Sequence, residues 1–165
     1  MNTAVENFSE NSILRWWHRL SGLPTGAWWF SRFLGWYAPY SGTIGSRVEI
    51  LRPGFAQVSL RDRRKVRNHL KSIHAIALMN LGEIATGLAV LSTITPDMRG
   101  IVLGLQAEYL KKSRGRLVAK ASFELPSQID DNTPCEAKTE IVDDAGDVVA
   151  IVRATWLLGY KKLND

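Results

Sequence analysis

The sequence is poor in cysteine: Cys135 is the only one in 165 residues. One thiol cannot close an internal disulfide, so stability has to come from an apolar core, and the chain suits a reducing compartment. Cys135 follows Asp131-Asn132-Thr133-Pro134, a loop by composition, with no metal-ligand spacing around it. It reads as incidental, and no metal site is expected. Long apolar runs are missing too. No window of roughly 20 residues is continuously apolar, which argues against a membrane-spanning helix. The N-terminus has no basic n-region and opens Asn2-Thr3-Ala4-Val5-Glu6, so a cytoplasmic location is expected. Residues 1–10 are polar and expected to fray. Repeats and low-complexity tracts are absent, which leaves one domain with or without an appendage.

The apolar content of 45% and charged content of 22% are ordinary for a globular chain. The net charge of +5 favours anionic partners: nucleic acid, a phospholipid surface, or a phosphate-bearing small molecule such as coenzyme A. No nucleic-acid-binding motif accompanies the charge, so nucleic acid is not an expected partner.

Five of the six tryptophans lie between residues 16 and 36. Ile13, Leu14, Trp16, Trp17 and Leu20 share one side of a predicted helix over 11–20, with Ser12 as its N-cap. A second predicted helix covers 26–36 and is ended by Pro39 and Ser41-Gly42. Residues 1–40 thus form a Trp-rich helical extension, and 41–165 the main domain. The extension has three readings: packing on the domain, an aromatic cover over an apolar tunnel, or a peripheral membrane contact. In the last, Arg15, Arg19 and Arg32 of residues 11–36 would meet anionic lipid.

From Thr43 the pattern has period two. Two alternating runs, 43–50 and 55–60, flank Arg52-Pro53-Gly54 and predict a hairpin. Residues 61–67 carry five cations, a solvated strand end or a phosphate-binding edge. A helix is predicted from Lys71 or Ser72 to Thr95-Pro96. Ile73, Ile76, Ala77, Leu81, Ile84, Leu88 and Leu91 are expected on its buried face. Four strands follow: from Ile101 with uninterrupted alternation, 117–125, 136–142 and 148–158, with a turn at 111–115. One long helix packed on the apolar face of an antiparallel sheet satisfies both elements and gives an α+β fold.

Asn68, His74 and Glu83 are the groups on this loop and helix able to do chemistry. The N–H groups near Ala75 and Ile76 belong to a helix start and lack intrahelical partners. Such donors stabilise an oxyanion, and a carboxylate serves as general base or nucleophile. Asn68, then His74-Ala75, then Leu81-Gly82-Glu83 resembles the signature of hotdog-fold acyl-CoA thioesterases of the PaaI-like group, and the chain is especially similar to an uncharacterised bacterial hotdog branch. The resemblance implies a hotdog fold, an antiparallel sheet wrapped around a long central helix. It also implies hydrolysis of an acyl-CoA or acyl-carrier-protein thioester at an interface in a homodimer or homotetramer, with coenzyme A entering only as part of the substrate and no other cofactor. By it, Glu83 is the base or nucleophile, the Ala75 N–H the oxyanion donor and Asn68 the orienting amide. His74 sits in the helix's first turn, more a structural residue than a base.

The pattern's two glycines are Ala75-Ile76 here, and Ile76 narrows the substrate site. A hydroxyl that some relatives place four residues after the acid is replaced by Gly87, with Thr86 as a possible substitute. Lys111, Lys112, Arg114 and Arg116 are candidates for the nucleotide phosphates, or a solvated hairpin tip. The alternatives to hydrolysis are an acyl-CoA- or lipid-binding protein without catalysis and, ranked lower, a hydroxyacyl-thioester dehydratase.

Overall fold

The computed structural model describes residues 11–161; the expected fraying of residues 1–10 lies outside them. Helices α1 (Ser12–Ser21), α2 (Gly26–Tyr37) and the single turn α3 (Pro39–Gly42) precede strands β1 (Arg47–Arg52) and β2 (Phe55–Arg61). The long helix α4 (Ala75–Leu91) follows, then β3 (Met98–Tyr109), β4 (Arg116–Ser122), β5 (Thr133–Val142) and β6 (Val148–Tyr160). All six strands form one antiparallel sheet in the order β1-β2-β4-β5-β6-β3. Helix α4 touches every strand of it.

The β1–β2 hairpin turns at Pro53-Gly54 as the sequence predicts. Proline presets φ at the first turn position, and Gly54 takes φ +70, which a side chain rarely adopts. Ala56, Val58 and Leu60 point into the core, each at most 1% exposed. Ser31 of α2 accepts the Val48 N–H at 2.9 Å and pins the helical extension to β1.

Four expectations are corrected. First, α4 begins at Ala75, not at Lys71 or Ser72: Lys71 has φ +56, and His74 is extended and caps the helix. Second, Ala77, Leu81 and Leu88 of α4 are buried as expected, but its small-residue side, with Gly82, Ala85 and Ala89, is buried as well. A Cβ on Gly82 would fall 2.5 Å from the Val152 side chain, so the glycine allows the close approach to β6. Ile76, expected in the core, is 51% exposed. Third, β3 starts at Met98 and does not alternate uninterruptedly. A bulge between Val102 and Gly104 places one extra residue on β3 and exchanges its faces. Fourth, Cys135 is no loop residue. β5 begins at Thr133, and Cys135 is buried opposite Trp156.

The cap of α1 is Asn11, not Ser12. Its Oδ1 accepts the N–H groups of Ile13 and Leu14, while its Nδ2 donates to the carbonyls of Leu91 (2.7 Å), the last residue of α4, and of Ile94 (2.9 Å) just beyond it. One buried amide therefore starts α1 and fastens it to the end of the central helix. Asn11→Ala is expected to cost about 2–4 kcal/mol, a lost cap plus buried carbonyls left unpaired. Equilibrium urea unfolding reads this directly, and a cost under about 0.5 kcal/mol would show that the four bonds contribute little.

Candidate functional site

The loop before α4 is built by its own side chains. Asn68 Oδ1 accepts the N–H of Leu70 (3.0 Å) and of Ser72 (3.1 Å), folding the chain back on itself. Its amide Nδ2 has no hydrogen-bond acceptor among the described residues. Ser72 donates its hydroxyl to the Ser113 carbonyl at 2.9 Å, tying this loop to the basic turn after β3. His74 Nδ1 accepts the Ile76 N–H at 3.1 Å, so the neutral ring carries its proton on Nε2. His74 is thus the cap of α4, and the Ile76 N–H is already occupied. Ala75 holds the first helical position, where an N–H has no intrahelical acceptor. Among the described residues it meets no other acceptor.

Glu83 lies eight positions further along α4, about 12 Å at the helical rise. It is half-buried, and its one hydrogen-bond donor among the described residues is the Ser41 hydroxyl, a long contact of 3.5 Å to Oε2. Burial raises its pKa above the ordinary glutamate value, and the Ser41 hydroxyl offsets part of that shift. Ser41 was not a sequence candidate. Its position depends on α3 folding back against α2, where a Cβ on Gly42 would meet the Gly35 carbonyl oxygen at 2.4 Å. Pro39 at the start of α3 and the Ser41-Gly42 pair are the local signals.

Glu83 opens into a cleft of about 2060 Å³ between the N-terminal helices and the sheet. Along α4 the cleft wall continues through Ile84, Gly87, Leu88 and Leu91, about 12 Å of apolar surface leading away from the carboxylate. Trp156 forms another part of the lining, and Phe33 and Leu34 of α2 cover it. A Cβ on Gly87 would lie 3.2 Å from the indole of Trp156, so glycine here makes room for that ring. Thr86, the candidate substitute hydroxyl, stands away from the cleft. It is fully buried, donates its hydroxyl to the Gly82 carbonyl (3.0 Å), and is not part of the cleft lining.

His74 and Ile76 line a separate pocket of about 220 Å³ with Tyr40, Lys65, Arg67 and Asn80. Asn68 borders neither cavity. Within one chain, the helix-start donor and the acid therefore do not converge.

The two basic stretches separate clearly. Lys111 is paired with Asp143 (2.8 Å) and Asp147 (2.5 Å), and Lys111, Lys112 and Arg114 stand outside both cavities. Arg116 does reach the cleft but is bound to Glu49 at 2.5 Å. Other cations line the cleft, among them Arg47, Arg61, Arg63 and Lys65 in and after the β1–β2 hairpin and Arg15 and Arg32 of the N-terminal helices, with Arg63 held on the Ile44 carbonyl.

A six-stranded antiparallel sheet curled on one long helix defines the protein as a hotdog-fold protein. The chain belongs to the family described as a domain of unknown function, DUF4442, whose model matches residues 26–158. No curated protein matches it. Among solved structures, a structural-genomics protein is similar at 30% identity and TM-score 0.75, over 90% of this chain and 98% of that one. A thioesterase of Staphylococcus aureus, solved as a glutamine-to-alanine variant, matches at 19% identity and TM-score 0.65 over 73% of this chain and 98% of that one. The phenylacetic acid degradation protein PaaI of Thermus thermophilus matches at 22% identity and TM-score 0.61 over 72% of this chain and 97% of that one. The resemblance carried by Asn68, His74-Ala75 and Leu81-Gly82-Glu83 thus holds at the level of the fold.

Proposed function

We propose that the protein is a thioester hydrolase for acyl-CoA or acyl-carrier-protein substrates, acting as a homodimer or higher homo-oligomer. The carrying observation is Glu83: a half-buried carboxylate of raised pKa at the head of an apolar cleft. Ionised, it accepts a proton from water as the water attacks the thioester carbonyl, and a raised pKa makes it a stronger base. The acyl chain lies along Ile84, Leu88 and Leu91, and the phosphates of the carrier meet Arg47, Arg61 and Lys65 at the cleft's polar side.

The oxyanion needs a donor that Glu83's own helix does not supply, because Ala75 is about 12 Å away on the same rigid rod. A second copy supplies it. Among the described residues β3 pairs only with β6 and leaves an edge, with Ile101, Leu103, Leu105 and Tyr109 exposed. The Tyr109 hydroxyl donates to the Ala75 carbonyl at 3.1 Å, so this open edge adjoins the helix start. Docking two copies at β3 covers an exposed apolar edge and sets the Ala75 N–H and Asn68 Nδ2 of one copy toward Glu83 of the other. The Staphylococcus aureus thioesterase has been solved with substitutions at a glutamine and at a glutamate fifteen positions apart. Asn68 and Glu83 have the same separation.

Turnover of a panel of acyl-CoAs of graded chain length tests the proposal. Hydrolysis is expected, and mixing an Asn68→Ala chain with a Glu83→Ala chain should restore part of the activity through the one intact site of each mixed dimer. Ile76, standing beside the helix start, favours a second reading in which the cleft binds acyl-CoA without cleaving it. Saturable binding with no turnover across the panel would establish that reading, and no binding at all would exclude both.

A further inference from the structure

The N-terminal helices expose more aromatic surface than packing on the domain requires. Leu14, Trp17 and Phe30 fill the interface with the body of the protein. Trp16, Trp28, Trp29, Phe33, Trp36 and Tyr37 do not: they are between 44% and 76% exposed. They are also contiguous. Phe33 stacks on Trp16 at 6.1 Å and lies within 6.5 Å of the Trp36 and Tyr37 rings, while Trp28 and Trp29 meet edge to face at 4.7 Å one turn earlier. A continuous apolar patch of this kind on a water-facing surface marks an interaction site.

Charge identifies the partner. From residue 11 to residue 48 the chain contains no Asp or Glu, yet it carries Arg15, Arg19, Arg32 and Arg47. Arg15, Arg19 and Arg32 are all exposed, and Arg19 lies over the Trp16 ring at 5.9 Å. A second protein surface would need no such exclusion of acids over 38 residues. Indole rings settle at the headgroup level of a bilayer, and arginines among them meet anionic headgroups.

We propose that α1 and α2 form a docking face for an anionic phospholipid bilayer. The helices lie flat in the interfacial zone; neither is long enough to span it, and no described helix is long and apolar enough to cross a membrane. The patch is also the rim of the cleft: Trp16, Phe33, Trp36 and Tyr37 line it together with Glu83. On the reading given above, a thioester whose acyl chain is dissolved in the bilayer passes from lipid into the cleft without exposing that chain to water. The substrate class is then the membrane-partitioned, long-chain thioester.

Co-sedimentation of the full-length protein with vesicles, without substrate, tests the docking face separately from catalysis. Vesicles of phosphatidylcholine are compared with vesicles containing phosphatidylglycerol. Binding is expected with the anionic vesicles and should weaken as salt is raised. The variants Trp29→Ser and Arg19→Glu change exposed side chains that do not line the cleft. Each is expected to lower partitioning about tenfold or more, with unchanged turnover of a water-soluble short-chain thioester. Circular dichroism of each variant establishes that it is folded. Three results would overturn the proposal: no binding to either vesicle, equal binding by both folded variants, or a loss of oligomer in Trp29→Ser showing that a second copy covers the patch. Vesicle binding without thioester turnover would retain the docking face and remove only the hydrolase reading.

Discussion

Glu83→Gln should lower turnover by about 10²–10⁴-fold, the usual contribution of a general base, while making the folded protein more stable at neutral pH. Both effects have one physical origin. The fold takes Glu83 partly out of water, and the Ser41 hydroxyl compensates only in part, so the ionised form is held at a cost. A carboxyl whose folded-state pKa is raised binds its proton more tightly folded than unfolded. Its effect on stability is therefore most favourable below the ordinary glutamate pKa. That contribution is lost as pH rises through the ordinary value to the raised one, and the deficit is constant above it. Glutamine removes the deficit at neutral pH, and the two proteins should converge in acid. For catalysis the sign is opposite: the ionised base is the active form, so kcat/KM should fall on the acid side with an apparent pKa above that of an ordinary glutamate. Urea unfolding at two pH values and a pH–rate profile measure the pair. A Glu83→Gln protein that keeps its turnover removes the mechanism; one that loses both turnover and stability shows that Glu83 is a structural carboxylate.

Placing lysine at Leu103 or Leu105 should convert the proposed oligomer into monomers and reduce turnover by at least about 10²-fold. These side chains are 59% and 37% exposed on a strand that is the sheet's edge among the described residues. A charge there costs the single chain little, because it remains in water, but in a dimer it is buried without a partner. The loss of activity follows from the rod geometry of α4: one helix does not bring Ala75 and Glu83 to the same carbonyl, so separated chains lack half the site. Analytical ultracentrifugation gives the mass, and the thioesterase assay the activity. A wild-type protein that is monomeric and fully active would show that the donor comes from elsewhere in the same chain. A monomeric variant with wild-type turnover would do the same.

The chemistry legible in the sequence was local in the chain. Asn68, His74, Ala75 and Glu83 are near one another in sequence, and their order on a loop and helix followed from short-range patterns. So did the β1–β2 hairpin, because Pro53-Gly54 fixes its own turn. The errors arose where neighbours distant in sequence decide. The start of α4 moved to Ala75 because Asn68 and Ser72 hold the loop in a turn. The buried side of α4 takes in its glycines and alanines as well as Leu81 and Leu88, because Val152 of β6 occupies the space in front of Gly82.

By itself the sequence determined the class of architecture and the position of the acid. Hydrophobic period and turn chemistry are properties of short stretches, and a lone carboxylate on an apolar helix stands out without any contact map. Only the tertiary structure decided what surrounds that acid. Ser41, the apolar wall down to Leu91, the Trp156 ring beside Gly87 and the cations of residues 47–65 are brought to the cleft by long-range packing. The separation of Ala75 from Glu83, by contrast, follows from the rise of α4 itself. It is this separation that makes a second copy of the chain part of the proposed site.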